Sequence, residues 1–242
     1  MALVERGLAR SRSAAQAAIA AGAVRVNGVP AAKAAQPVRP GDVLDARLDP
    51  WVSRAAHKLL GALADSATQV PARVLDAGAS TGGFSQVCLE RGAERVYAVD
   101  VGHGQLAAEL RDDPRVVVWE RTNLRDLTLR HVEEAPVGLV VADVSFISLR
   151  LLLPALLDVL APEGSALLLV KPQFEVGRGG LDDHGVVREA ALREQAVRQV
   201  CGAAVKLGRP AVWTGPSRLA GENGNQEYFV RLGPLGNVSL ER

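Results

Sequence analysis

The chain has 242 residues, of which 48% are hydrophobic and 23% charged, with a net charge of +1. These values exclude a disordered chain and leave room for one sizeable core and a second, small one. The near-neutral total hides an asymmetry: residues 1–57 carry eight Lys/Arg against four Asp/Glu, and the remainder twenty against twenty-three, so a basic head precedes a mildly acidic body.

The opening residues are charged and lack an apolar stretch, so they do not read as a secretory signal. Residues 3–9 predict a short helical turn. Ser11 is placed to cap a second, alanine-rich helix over 13–21, which Gly22 ends. A short strand over 23–26 runs into Asn27-Gly28, a strong hairpin dipeptide. Pro37, Pro40 and Gly41-Asp42 mark turns before a strand over 43–48. The unit 1–48 is too small to be a sturdy enzyme by itself. Residues 49–52 read as a linker stiffened by Pro50, and a helix over 53–63, carrying Lys58, opens a larger domain over 53–242.

From residue 73 onward, near-continuous apolar strands alternate with helices. Strands are expected at 73–77, 95–101, 116–119, 138–142, 165–170, 211–213 and 227–232, and helices at 83–91, 106–111, 149–160 and 188–207. This alternation predicts an α/β fold, a doubly wound, mainly parallel sheet covered on both faces. The apolar run 149–160 is interrupted by Arg150, Pro154 and Asp158 and is read as a buried helix, not a membrane span. Cys88 and Cys201 stand far apart and outside any Cys/His cluster, so no disulfide framework and no metal are expected. A reducing, cytoplasmic setting follows as the expectation.

The sharpest local signal is the stretch Val74-Leu75-Asp76-Ala77-Gly78-Ala79-Ser80-Thr81-Gly82-Gly83-Phe84, which follows a strand and opens a helix. Glycines there let the backbone approach a ligand, and the helix start supplies free N–H groups. Asp76, Gly78, Ser80, Thr81, Gly82, Gly83 and Phe84 are therefore candidate cofactor residues. Asp100 ends the next strand, where an acid can grip ribose hydroxyls, and Asn123 follows the third, where a polar side chain can meet an adenine edge. In the bland alternative, Asp76 caps the following helix and Asp100 is a surface acid. The spacing is not the G-x-G-x-x-G of dinucleotide binders, and no G-x-x-x-x-G-K-[ST] phosphate loop is present. The form D-x-G-x-x-x-G-G instead resembles the first motif of S-adenosylmethionine-dependent methyltransferases, and S-adenosylmethionine is the expected cofactor.

Four more polar residues lie where such a fold converges its loops. Lys58 is on the helix before the first strand, Asp143 ends the fourth strand, Lys171 ends the fifth, and Glu227 starts a late strand. Asp143 and Lys171 each follow an apolar run directly. Singly, each has an ordinary reading as an ion-pair partner or a surface charge. Jointly they suit deprotonation of a ribose 2′-hydroxyl: a lysine beside another cation and partly out of water surrenders its proton more readily and can accept one, while the acids position the lysines. Asp143 also counts among the candidate cofactor residues.

On these residues the chain resembles the TlyA-type ribosomal RNA 2′-O-methyltransferases, also known as haemolysin-like proteins, with an FtsJ-like catalytic domain. The resemblance runs over nearly the whole chain. It is carried by Arg6–Arg12, by Ser53-Arg54-Ala55-Ala56-His57-Lys58-Leu59, by the loop 75–84, by 143–148, by Lys171-Pro172-Gln173-Phe174-Glu175 and by Gly224-Asn225-Gln226-Glu227. It implies methyl transfer to a ribose, of cytidine, in ribosomal RNA by a Lys-Asp-Lys-Glu tetrad falling on Lys58, Asp143, Lys171 and Glu227. It also implies that the head is an RNA-binding module of the alpha-L type found in a small-subunit ribosomal protein. Arg6, Arg10, Arg12 and Lys33 then face RNA, contacting mostly phosphates. The expected partners are ribosomal RNA or ribosomal subunits and no membrane. Two departures stand out: the family starts with a few more residues, so the head is expected to be trimmed at its start, and His103 stands where an aromatic such as tyrosine is expected.

Rival readings are a non-catalytic RNA-binding assembly factor on the same fold, a membrane-active haemolysin-like protein, and a small-molecule methyltransferase. The intact tetrad argues against the first. The absence of an amphipathic or spanning segment argues against the second, and the basic head, idle on a small acceptor, argues against the third.

Overall fold

The computed structural model describes residues 2–9, 12–46 and 49–235, in two units with bounds Met1–Trp51 and Val52–Arg242. In the first unit, helices α1 (Ala2–Glu5) and α2 (Arg12–Ala20) precede a three-stranded antiparallel sheet of β1 (Val24–Val26), β2 (Val29–Pro30) and β3 (Leu44–Ala46), in the order β2-β1-β3. Asn27 and Gly28 both take positive φ, as a two-residue hairpin turn requires. A small core of Leu3, Ala9, Ala15, Ala18 and Val24 holds the unit together. The expected cap Ser11 and residues 47–48 lie outside the described residues.

The second unit begins with α3 (Ala55–Asp65). Then follow β4 (Arg73–Ala77), α4 (Gly83–Glu90), β5 (Arg95–Val99), α5 (Ala108–Arg111), β6 (Val116–Trp119), β7 (Val137–Ala142), α6 (Leu153–Asp158), β8 (Leu160–Val170), α7 (Ala190–Lys206), β9 (Ala211–Pro216) and β10 (Tyr228–Leu232). The seven strands order as β6-β5-β4-β7-β8-β10-β9. The pairs β6-β5, β5-β4, β4-β7 and β7-β8 are parallel, and β10 runs antiparallel to both β8 and β9.

Alternation along the strands builds two faces. Leu75, Ala77, Tyr97, Val140, Leu168 and Val230 belong to the core shared with Leu153 and Leu156 of α6 and Ala196, Val200 and Ala204 of α7. On the opposite face, Phe229 of β10 stacks on Phe84 of α4 at 6.2 Å between ring centroids. This is an α/β sheet, doubly wound as the alternation predicted, with the antiparallel β10 inserted between β8 and β9.

Several element boundaries differ from expectation, and three of the differences have a plain physical reason. The helix expected over 149–160 divides into a 3-10 turn, Leu149–Leu151, and α6, with Pro154 in the first turn of α6, where its missing N–H costs nothing. Leu160 already belongs to β8, which is longer than the expected 165–170 because its start pairs with Val137 before a register shift. The expected strand 211–213 extends to Pro216 through its pairing with β10.

Candidate functional site

Because the chain turns from β5 on one side of β4 to β7 on the other, the strand ends at Ala77 and Ala142 open a crevice, the usual ligand site of such sheets. The loop after β4 is drawn tightly over it. Gly78, at φ +82°, has no room for a side chain, since a Cβ would lie 2.7 Å from the Asp143 carbonyl oxygen. The Asp143 N–H donates to the Ala77 carbonyl at 3.1 Å, tying the two strand ends together. Ser80 also takes a positive φ, of 48°.

A cleft of about 510 Å³ lies there, within the usual range for small-molecule sites. Its polar edge is formed by Ser80, Asp100, Gln105, Asn123 and Asp143, and Val144, Ile147, Leu124 and Leu152 are apolar residues of its wall. Asp100 is fixed at both oxygens: Oδ2 accepts the Ser80 N–H at 2.8 Å and Oδ1 the Gly102 N–H at 2.7 Å. Asn123 accepts the Arg125 N–H through its side chain at 3.0 Å, capping a short 3-10 turn. A smaller hollow of about 150 Å³ adjoins it, sharing Gly78, Ser80, Asp143 and Ser145, and is lined also by Thr81, Gly83, Phe84 and Lys171.

Asp76 lines neither hollow. It is fully buried on β4, and its Oδ2 accepts the Ser85 hydroxyl at 2.7 Å from the first turn of α4. Burial pushes its carboxyl up to about 7, with Asp143 and Asp100 adding to the rise and the Ser85 hydrogen bond opposing it. Gly82 is likewise behind the loop, at φ +95°, where a Cβ would strike Leu110 Cδ1 at 2.2 Å.

The four charged candidates form two pairs. Lys171 Nζ lies 2.7 Å from Asp143 Oδ1 and donates to Ser145 Oγ at 2.7 Å, with side-chain exposures of 11% for Lys171 and 16% for Asp143. Lys58 Nζ donates to Glu227 Oε2 at 2.6 Å, and these side chains are 7% and 2% exposed. The first pair borders both hollows through Asp143, and Lys171 borders the smaller one; Lys58 and Glu227 line neither. Gly221 makes room for the Glu227 carboxylate, since a Cβ at that glycine would meet Oε1 at 2.1 Å.

In the first unit, Arg12 and Lys33 are exposed and border one hollow of about 460 Å³. Arg6 is committed within the unit: its guanidinium donates to the carbonyls of Asp42 at 2.6 Å and Arg39 at 2.9 Å. Arg10 lies outside the described residues.

Sequence reasoning left out four residues. Ser145 touches Lys171, and Gln105 lies on the cleft. Glu175 is buried and accepts from the Ser148 hydroxyl at 2.6 Å and the Leu149 N–H at 2.7 Å, holding the turn after β7. Phe146 is 88% exposed at positive φ on the cleft wall, 5.2 Å from the Phe174 ring. Ser145 and Phe146 lie within three residues after Asp143, which was the available signal; the positions of Gln105 and Glu175 depend on chain segments distant in sequence. Among the described residues no cluster suits a metal ion, and no helix is long and apolar enough to cross a membrane.

The family of FtsJ-like methyltransferases matches residues 51–234, and the S4 domain matches residues 1–44. A 16S/23S rRNA (cytidine-2′-O)-methyltransferase, TlyA, of Mycobacterium tuberculosis is 52% identical over 95% of this chain and 87% of that protein. Hemolysin A of Brachyspira hyodysenteriae is 38% identical over 93% of this chain and 95% of its own. A solved structure described as a hemolysin of Streptococcus thermophilus superimposes with a TM-score of 0.77 at 37% identity, covering 98% of this chain and 89% of that one.

Proposed function

Because the chain belongs to the FtsJ-like methyltransferase family, with an S4 domain at its head, we propose that it methylates a ribose 2′-hydroxyl in ribosomal RNA, with cytidine as the acceptor and S-adenosylmethionine as the methyl donor. The observation that carries the reading is the Lys171–Asp143 pair at 2.7 Å, set where the larger cleft meets the smaller hollow. The relative from Mycobacterium tuberculosis, named for this reaction on 16S and 23S rRNA, supports the acceptor.

The cleft fits the donor by its chemistry: an acid held by two backbone N–H groups at one end, apolar walls between, and a glycine-bound loop too tight for any side chain at Gly78. Bound there, S-adenosylmethionine supplies an electrophilic methyl group on a sulfonium. Asp100 accepts from ribose hydroxyls and Asn123 presents its amide to the base edge. As the free amine, Lys171 takes the proton of the acceptor 2′-hydroxyl at Nζ while that oxygen bonds the methyl carbon, held in place by a hydrogen bond to Ser145 and by the Asp143 carboxylate 2.7 Å away. Tyr228 pairs with Val170, so Glu227 and its partner Lys58 adjoin the strand end that carries Lys171 and act as a fixed electrostatic support. Phe146 offers an exposed aromatic face of the kind on which unstacked RNA bases lie. Arg12 and Lys33 of the head contact phosphates and set register.

The test is transfer of labelled methyl from S-adenosylmethionine to purified small and large ribosomal subunits from a strain lacking the protein, with Lys171→Ala as control. The expected result is label in RNA at one ribose, resistant to alkaline cleavage and abolished by the substitution, with cofactor affinity in the variant nearly intact. Full activity in Lys171→Ala would remove it as the base, and no label on any subunit or bare RNA would remove the acceptor.

A further inference from the structure

Asp100 is an acceptor-only group once ionised, whereas a ribose hydroxyl both donates one hydrogen bond and accepts others. Its two oxygens hold the N–H groups of Ser80 and Gly102, so those donors are already engaged. A ligand hydroxyl that donates to Asp100 therefore needs a different donor for its own oxygen.

Gln105 is built to be that donor. Its Oε1 accepts the Ser80 hydroxyl at 3.2 Å, which turns the amide nitrogen the other way. The nitrogen lies over Gly102: a Cβ on that glycine would be 2.3 Å from Gln105 Nε2 and 3.1 Å from Asp100 Oδ1. The missing side chain of Gly102 thus gives the amide room to lie beside the carboxylate, and both residues line the cleft. The same two side chains also share a second, much smaller void with Ser80 and Gly102.

We infer that Gln105 is a cofactor-binding residue, its carboxamide donating to the ribose hydroxyl oxygens whose protons Asp100 accepts. The inference rests on the S-adenosylmethionine reading of the cleft and assigns a residue to the recognition of its ribose. Its logic is complementary pairing: each hydroxyl meets an acceptor in Asp100 and a donor in Gln105, and leaving either role unfilled in a partly desolvated cleft carries a penalty. Gln105 is itself solvent-exposed, so its replacement leaves the core untouched.

The experiment is calorimetric binding of S-adenosylhomocysteine, and of its 2′-deoxy and 3′-deoxy analogues, to the full chain. Wild type is compared with Gln105→Ala, Gln105→Glu and Gly102→Ala, the last of which displaces the amide. All three variants are expected to bind S-adenosylhomocysteine about tenfold more weakly, the worth of roughly one hydrogen bond. At least one deoxy analogue is expected to bind wild type and Gln105→Ala with nearly equal affinity. Unchanged affinity in Gln105→Ala, or an equal loss for all three ligands, overturns the inference while leaving the cofactor reading in place. Failure of S-adenosylhomocysteine to bind the wild-type chain overturns the cofactor reading, and the inference with it.

Discussion

Glu227→Leu leaves the Lys58 ammonium buried at 7% side-chain exposure with its 2.6 Å partner gone. Removing one member of a buried ion pair costs about 3–5 kcal/mol, because the remaining charge has lost both water and counter-ion. In a domain of this size about 1 kcal/mol shifts Tm by roughly 2–4 °C, so a drop of about 6–20 °C is expected by scanning calorimetry. Replacing both partners, as Lys58→Met with Glu227→Leu, removes the stranded charge. Apolar replacement of a buried pair is often neutral or stabilising, so most of the lost Tm should return. On the proposed reading methyl transfer should not return, because the Lys58–Glu227 charges assigned to the support of Lys171 are disrupted in both variants. A double variant that recovers stability and activity together would show the pair to be structural only. A single variant that loses less than about 1 kcal/mol would refute the buried-charge reasoning itself.

Asp76, pushed up to about 7 by burial, keeps its proton in the folded chain across a range where the unfolded chain loses it, near 4. Folding therefore binds a proton in this window, and stability should fall as pH rises from about 4 to about 7; Asp76→Asn should flatten that part of the Tm–pH curve, and an unchanged slope would refute the assignment. Gly221→Ala places a Cβ 2.1 Å from Glu227 Oε1 and should lower kcat severalfold while leaving S-adenosylhomocysteine affinity intact in a binding titration. Arg12→Ala and Lys33→Ala should each reduce by about 1 the slope of log K against log salt for ribosomal RNA, measured by filter binding. Arg6→Ala should instead lower the thermal stability of the head, because its guanidinium fastens the turn at Arg39 and Asp42.

Periodicity and turn chemistry made the fold legible. The mostly apolar runs at 73–77, 138–142 and 165–170 call for burial on both faces, which a parallel sheet between helix layers provides. What escaped was set by pairing across the sheet. Nothing local in 211–216 announces a six-residue strand; its length follows from lying against β10, a partner that comes later in the chain. The division at Pro154 was visible as a proline, but its consequence depended on where the preceding turn ended, and that turn is held by Glu175 from a segment far along the chain.

The site shows the same division more sharply. Asp143 and Lys171 could be suspected because a charge directly after a buried strand needs a reason, and their 2.7 Å contact supplies one. Asp76 follows the same logic to a different end. Its position in the glycine-rich motif pointed to the ligand, yet strand alternation turns it away from the crevice, into the layer where Ser85 waits. A motif fixes which residues gather at a strand end; the two-residue repeat of the strand decides which of them face the ligand and which face the helix that supports it. By that rule Asp76 shapes the loop from behind, and the polar edge of the cleft is formed by residues beyond the strand end, where the backbone leaves the pleat: Ser80, Asp100, Gln105 and Asp143.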